Sequence, residues 1–132
     1  MKNLANCKPS EFLAQTVKIR RAVEKWLTVN DIIAIRKRMP EGYELLKSYE
    51  AKEKARDEQA KKNLLEMFDN AFEAHPDETL ELLALLCFVE PAEVDSYPIS
   101  DYLESISDML KNDSVIAFFT SLAKLGQRPT SI

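Results

Sequence analysis

The sequence predicts an all-α fold, a compact single-domain bundle of five to seven helices with a long charged central helix. Apolar residues recur at intervals of three and four along almost the whole chain, which is the period of a helix and not of a strand. Only two of the 132 residues are glycine, so tight hairpins and phosphate-binding loops are disfavoured. We expect one helical domain over residues 1–132, with flexible segments at residues 1–8 and 127–132.

Two consecutive helices are predicted near the N-terminus. The first covers about residues 9–27, because Pro9 suits a first helical turn and apolar side chains then follow at a spacing of four and three. Thr28 and Asp31 resemble a helix cap. A short second helix is therefore expected over residues 31–38, ending before Pro40.

Residues 43–74 contain neither glycine nor proline and predict a long helix. Its middle, AKEKARDEQAKK, is charged on nearly every side, so it is either a solvated stretch of one helix or the place where two helices meet, near residues 50–56. His75 and Pro76 end it. Pro76 and the acids after it predict the start of another helix, whose apolar run at residues 82–89 is expected to be the most buried.

Two amphipathic helices are predicted in the C-terminal part, after the connector EPAEVDSYP. The first is marked by apolar residues from Tyr102 to Leu110, and Asn112 with Asp113 ends it and caps the next. The last helix has a wide apolar face and is expected to end at Gly126.

Charge is distributed unevenly along the chain. Residues 1–38 carry nine Lys and Arg against three Asp and Glu, whereas residues 76–132 carry three against ten. The overall charge of −4 therefore hides a basic N-terminal part and an acidic C-terminal part. Either the two pair within the fold or each faces a partner, which would allow head-to-tail self-association into a homo-oligomer.

Residues suited to catalysis or metal binding are few. His75 is the only histidine, Cys7 and Cys87 are isolated, and the acidic pairs on helix faces are typical of solvated surfaces. We expect two free thiols, with Cys87 in the core, no enzymatic activity, no cofactor and no metal. The first residues lack a signal-peptide pattern, and no apolar run approaches the ~20 residues of a membrane span, so a soluble cytoplasmic protein is expected.

The basic residues of the first two helices allow a second interpretation. Arg20 and Arg21 precede the short turn and Arg36 and Arg38 follow it, a pattern that could form a helix-turn-helix over residues 10–38 in a small DNA-binding regulator. The short second helix and the acidic isoelectric point, about 5.1, argue against binding to nucleic acid.

Two adjacent aromatic residues mark the last predicted helix. Phe118 and Phe119 lie about 100° apart around a helix axis, so both rings are buried only if the helix is covered broadly. If that face stays open, it becomes a groove for an amphipathic partner helix.

Three segments resemble a known family: NCKPSEFLAQTVKIRRAVEKWL, LELLALLCFVEPAEVDSYPISDYLESI and SVIAFFTSLAKLGQ. Their helices and apolar blocks are similar to those of phage tail assembly chaperones, encoded by siphophages and prophages of Gram-positive bacteria. The resemblance implies a cytoplasmic protein of the bacterial host that binds the tape measure protein, assists assembly of the tail-tube protein around it and is absent from the mature virion. It also implies that a longer, frameshifted form is often made.

The resemblance supplies no motif that identifies binding residues. Charge and expected exposure therefore select the candidate partner-binding residues, which are Arg20, Arg21, Trp26, Arg36, Arg38, Phe118 and Phe119.

Overall fold

The computed structural model describes residues 1–125 and confirms the all-α class, since it is 78% helical and has no strand among those residues. Six α-helices are joined by short connections. Their bounds are Pro9–Val29 (α1), Ile32–Arg36 (α2), Tyr49–Asp69 (α3), Pro76–Leu86 (α4), Ile99–Lys111 (α5) and Asp113–Leu125 (α6). Short 3-10 helices span Tyr43–Leu45 and Pro91–Ser96, and a π-helical turn spans Asn70–Ala74.

The described chain divides into two compact units. The terminal unit comprises residues 1–19 and 83–125, and the middle unit comprises residues 20–82. The prediction of a single domain stays a prediction. Each unit has its own buried side chains: Leu4, Ile19, Ala84, Cys87, Val89, Tyr102 and Met109 in the terminal unit, and Ala22, Ile35 and Ala71 in the middle unit.

The junction between α1 and α2 differs from the predicted cap. Helix α1 continues through Thr28, whose hydroxyl donates to the Glu24 carbonyl oxygen at 2.8 Å. Asp31 adopts a left-handed conformation (φ 55°) and its side chain caps nothing. The Thr28–Asp31 cap is therefore wrong, because a helical Thr satisfies its hydroxyl on the preceding turn. As a result α2 is only five residues long.

The charged central helix is one continuous helix with a later start than predicted. Ser48 begins α3, since its hydroxyl accepts a hydrogen bond from the Ala51 amide at 3.0 Å. The charged stretch contains mostly Ala, Glu, Lys, Arg and Gln, which are strong helix formers, and it shows no break near residues 50–56. Tyr43 lies in a separate 3-10 turn instead of the helix.

Helix α4 ends earlier than the apolar run that predicted it. The run at residues 82–89 is not a helix to its end, because α4 stops at Leu86 and Phe88 takes a left-handed conformation (φ 57°). The Val89 amide donates to the Ala84 carbonyl at 3.0 Å and the Phe88 amide to the Leu85 carbonyl at 3.4 Å, the two bonds of a Schellman cap. No residue from 81 to 89 is exposed, as the buried-helix prediction requires.

The N-terminal segment makes specific contacts, while the prediction that residues 1–8 are flexible stays a prediction. Asn3 and Leu4 are buried, and the Asn3 side-chain oxygen accepts a hydrogen bond from the Ala5 amide at 2.8 Å. The Lys2 ammonium pairs with the Glu11 carboxylate in the first turn of α1. Leu4 therefore contributes buried apolar surface to the terminal unit. The Gly126 cap and the flexible segment at residues 127–132 lie outside the described residues.

The cap between α5 and α6 forms where the sequence predicts it. The Asn112 side-chain oxygen accepts a hydrogen bond from the Val115 amide at 3.0 Å. This bond satisfies one of the free amides that every helix start leaves. Only Asn112 lies between the end of α5 and the start of α6, so the two helices are consecutive in the terminal unit.

Candidate functional site

The terminal unit carries an open groove lined only by apolar side chains. The groove has a volume of about 230 Å³, and side chains from the N-terminal segment, α1, α4, α5 and α6 form its walls. No charged or polar side chain contributes to the lining. These residues are Leu4, Ile19, Leu86, Ile106, Met109, Leu110, Val115, Ile116 and Phe119. We call this feature the apolar groove.

An exposed row of apolar side chains on α5 continues from the groove. Ile99, Leu103, Ile106 and Leu110 follow a spacing of four, three and four, so they lie on one face of the helix. The exposed fractions are 60% for Ile99, 57% for Leu103 and 66% for Leu110. Ile106 and Leu110 belong to both the row and the groove. We call the row the α5 stripe; it extends the apolar surface along about three helical turns.

The opposite face of α5 is acidic. Asp101, Glu104 and Asp108 lie between about 130° and 190° from the centre of the α5 stripe at 100° per residue. None of the three forms an ion pair within residues 1–125. The helix therefore presents an apolar surface on one side and uncompensated negative charge on the other, which favours solubility despite the open apolar face.

Helix α6 leaves much of its apolar face uncovered. Among its residues none is fully buried, and Phe118 is 42% exposed. The Phe118 ring contacts Phe12 edge to face with centroids 5.3 Å apart, whereas Phe119 is half-buried and lines the apolar groove. The structure thus places the two predicted aromatic residues differently, with Phe119 inside the groove and Phe118 beside it. Part of the apolar face of α6 is therefore open, which is the condition under which the sequence predicts a groove for a partner helix.

The predicted basic residues belong to the middle unit, whereas Phe118 and Phe119 belong to the terminal unit. Arg20 pairs with Glu24 at 2.8 Å on the same helix, and Arg38 pairs with Glu66. Arg21 and Arg36 are exposed. Helix α2 is only five residues, or about 7.5 Å, long. Arg36 is its last residue, and Arg38 lies beyond its end.

Trp26 is half-buried and holds a structural hydrogen bond. Its indole Nε1 donates to the Thr79 hydroxyl at 2.9 Å, and that hydroxyl donates in turn to the Ala71 carbonyl. The indole thereby links α1 to α4 and to the π-helical turn within the middle unit. Its contacts explain why this large side chain is not on the surface.

Ion pairs only partly join the basic and acidic parts of the sequence. Among residues 1–125, one pair reaches from the basic N-terminal part to residues beyond 76, between Lys25 and Glu81 at 3.5 Å. The other pairs are local or involve α3. Most of the C-terminal acidic charge is therefore left for solvent or for a partner.

Two buried side chains in the core of the terminal unit have raised pKa values. Burial raises the pKa of the Cys87 thiol, and a hydrogen bond with Ser105 opposes that shift. Burial also raises the pKa of Tyr102, whose hydroxyl donates to the Val94 carbonyl at 2.7 Å. Cys87 is in the core, as the sequence predicts, and both cysteines are free.

The free energy of unfolding is expected to fall as the pH rises through about 8.5, where a thiol of an unfolded chain is half ionised. A folded-state pKa above the unfolded value means that the folded protein binds more protons in this range, so raising the pH favours unfolding. Denaturant titrations from pH 7 to 10.5 measure the slope. The slope should flatten in a Cys87→Ala, Tyr102→Phe double variant, and an unchanged slope would contradict this cause.

His75 and the acidic residues form no metal site. Among residues 1–125, no group of three or more His, Cys, Asp and Glu side chains could hold a metal ion. His75 ends the π-helical turn, where its amide donates to the Asn70 carbonyl at 2.8 Å. In the same part of the chain, none of the helices combines the length and hydropathy that crossing a membrane would require.

The most exposed part of the site was not among the sequence-predicted binding residues. Leu103, Ile106 and Leu110 mark an apolar helix face in the sequence, and Ile99 continues their four-three-four spacing, but none of the four is among the predicted binding residues. That spacing indicates an apolar face but not whether another element covers it. Leu4 lies in a segment without helical periodicity, so no sequence signal marked it.

Comparisons with known proteins add no relative. No protein-family model, curated protein or solved structure matches the chain. The apolar groove and the α5 stripe are therefore the observations on which function is argued.

Proposed function

We propose that the protein is a phage or prophage tail assembly chaperone that holds amphipathic helical segments of the tape measure protein in the apolar groove. The observation that carries the proposal is the continuous apolar surface formed by the groove and the α5 stripe. The resemblance of the sequence to this family supplies the identity of the client. In this proposal the protein acts in the cytoplasm of the bacterial host, assists the tail-tube protein and does not remain in the mature virion.

The form of the surface suits a helical client. A helix-binding groove takes apolar anchors that repeat at positions i, i+3, i+4 and i+7 of its ligand. The α5 stripe offers Ile99, Leu103, Ile106 and Leu110 at the matching spacing, over about 16 Å. A client helix lying along α5 would bury this stripe and reach the groove through Leu110.

The negative charge of α5 favours a basic client at long range, during encounter, because it lies on the face opposite the α5 stripe and does not border the bound client. The acids of α5, Asp101, Glu104 and Asp108, are without ion pairs within the described residues. Complementary charge increases the rate of encounter more than the final affinity. The apolar groove therefore supplies the binding energy, and the acidic face attracts a basic helix and disfavours an acidic one.

Co-expression with the tape measure protein of the same gene cluster tests this function. The chain is expected to keep that long helical protein in the soluble fraction and to co-purify with it. A tape measure protein that stays insoluble with the chain present, together with no co-purification, would contradict the proposal. An unrelated small helical protein expressed at the same level serves as the control.

The alternative, a small DNA-binding regulator using residues 10–38, stays a prediction that neither the apolar groove nor the α5 stripe favours. A helix that reads bases must lie along the major groove, and α2 has only five residues. DNA binding would require duplex affinity that falls steeply with salt. It would also require loss of that affinity in an Arg36→Glu, Arg38→Glu variant.

A further inference from the structure

The middle unit carries a second groove, whose lining includes basic side chains, whereas the lining of the apolar groove has none. It has a volume of about 470 Å³, and three arginines line it: Arg36, Arg38 and Arg56. Asp57 is the one carboxylate in its lining. We call it the arginine groove. Its apolar surface comes from Met39, Pro40, Leu64 and Met67.

The three guanidinium groups differ in what they already contact. Arg38 pairs with Glu66, and Arg56 lies over the Tyr43 ring at 5.8 Å. Arg36 is exposed and has no ion pair within residues 1–125. Because a guanidinium presents a planar fork of donors to a carboxylate, Arg36 and Arg56 can receive acidic side chains without first breaking an ion pair. The apolar lining suits the hydrocarbon part of the same ligand.

The chain itself carries a segment of matching chemistry. This segment is residues 90–96, which are the 3-10 helix Pro91–Ser96 and the residue before it. Glu90, Glu93 and Asp95 are exposed there. None of these carboxylates forms an ion pair within the described residues. We call this segment the acidic connector.

The acidic connector is held in one shape. Pro91 restricts its backbone, the Glu93 amide donates to the Glu90 carbonyl at 2.8 Å, and the buried Tyr102 hydroxyl binds the Val94 carbonyl at 2.7 Å. A segment that is already ordered loses little conformational entropy when it binds. Its carboxylates are therefore presented as a fixed set.

We infer that the arginine groove of one copy binds the acidic connector of a second copy. The two surfaces differ, so the contact is head-to-tail, and a pair of copies keeps one free groove at one end and one free connector at the other for further copies. This inference does not rest on the proposed function, because it uses neither the apolar groove nor a client.

The contact is expected to be weak and sensitive to salt. Exposed ion pairs contribute little each, and the screening length falls from about 30 Å at 0.01 M to about 3 Å at 1 M ionic strength. The expected species are short oligomers at high protein concentration and low salt, and monomers at high salt. Sedimentation velocity across a concentration series measures both.

Two charge-reversal variants test the pairing. Arg36→Glu with Arg56→Glu alters only the groove, and Glu90→Lys with Glu93→Lys alters only the connector. Each variant alone is expected to raise the apparent dissociation constant by at least about tenfold, since like charges then face each other. An equimolar mixture of the two is expected to associate again, because each altered surface then meets an oppositely charged one.

Matched controls change the net charge without touching either surface. Lys61→Glu with Lys62→Glu controls the groove variant, and Glu104→Lys with Asp108→Lys controls the connector variant; all four residues are exposed. The controls should associate as the unaltered chain does, and circular dichroism checks that every variant is folded. The inference is overturned by a monomer at all concentrations in low salt, by association that only one variant weakens, or by a mixture that fails to associate.

Discussion

Under the proposed function, Leu103→Glu combined with Leu110→Glu is expected to abolish the solubilisation of a co-expressed tape measure protein. Both side chains belong to the α5 stripe and are more than half exposed, so the substitutions disturb little of the fold. In the complex they would place two carboxylates against the apolar face of the client. Burying a charge without a partner costs about 3 kcal/mol or more, which corresponds to roughly a hundredfold loss of affinity.

A matched variant separates this effect from a general loss of exposed apolar surface. Leu65 on α3 is 64% exposed, close to the two stripe residues, and lies in the middle unit. Leu65→Glu should leave the soluble fraction of the client unchanged in the same co-expression experiment. Equal loss of client solubility in both variants would remove the reason for placing the client on α5.

Tyr102→Ala is expected to lower the free energy of unfolding by about 3 to 5 kcal/mol, the usual cost of removing a large buried aromatic side chain. Tyr102 is 1% exposed and packs with Ala84, Cys87 and Val89 in the core of the terminal unit. Tyr102→Phe keeps the ring but leaves the Val94 carbonyl without its donor, which costs about 1 to 2 kcal/mol. Denaturant titration followed by circular dichroism measures both changes.

An exposed tyrosine provides the comparison for these values. Tyr49 is 72% exposed at the start of α3, and a surface substitution there should change stability by no more than about 0.5 kcal/mol. If Tyr102→Ala lowers the free energy of unfolding as little as Tyr49→Ala does, the Tyr102 ring is not the centre of the core that supports the connector and α5.

Local signals predicted much of the fold because they act within a few residues. Pro76 starts α4, and Asn112 caps α6 through its own side chain, so both boundaries follow from sequence. Thr28 gave a wrong cap prediction because a Thr hydroxyl can either cap the next helix or donate to a carbonyl of the preceding turn. In the structure it donates to the Glu24 carbonyl. Phe88 gives no warning of its left-handed conformation, which glycine usually adopts.

The sequence predicts which helices have an apolar face but not which of those faces stays uncovered in the fold. Phe119 and the open apolar face of α6 follow from the spacing of apolar residues, as does the apolar face of α5. Which of these faces remains uncovered depends on contacts between distant parts of the chain, such as Gln15, whose side chain donates to the Leu85 carbonyl at 2.7 Å. The arginine groove depends in the same way on how the residues after α2 lie against α3, with the Asn63 side chain donating to the Arg38 carbonyl at 3.2 Å.

Amide hydrogen exchange tests the proposed client site most directly, when measured on the complex that the proposal predicts between this chain and the tape measure protein. Compared with the free chain, the complex should show slower exchange in α5 and α6, because client binding excludes water from the apolar groove and stabilises the helices that form it. The amides of α3 in the middle unit should exchange at unchanged rates. Protection confined to α3, or no protection in α5 and α6, would contradict the placement of the client in the apolar groove.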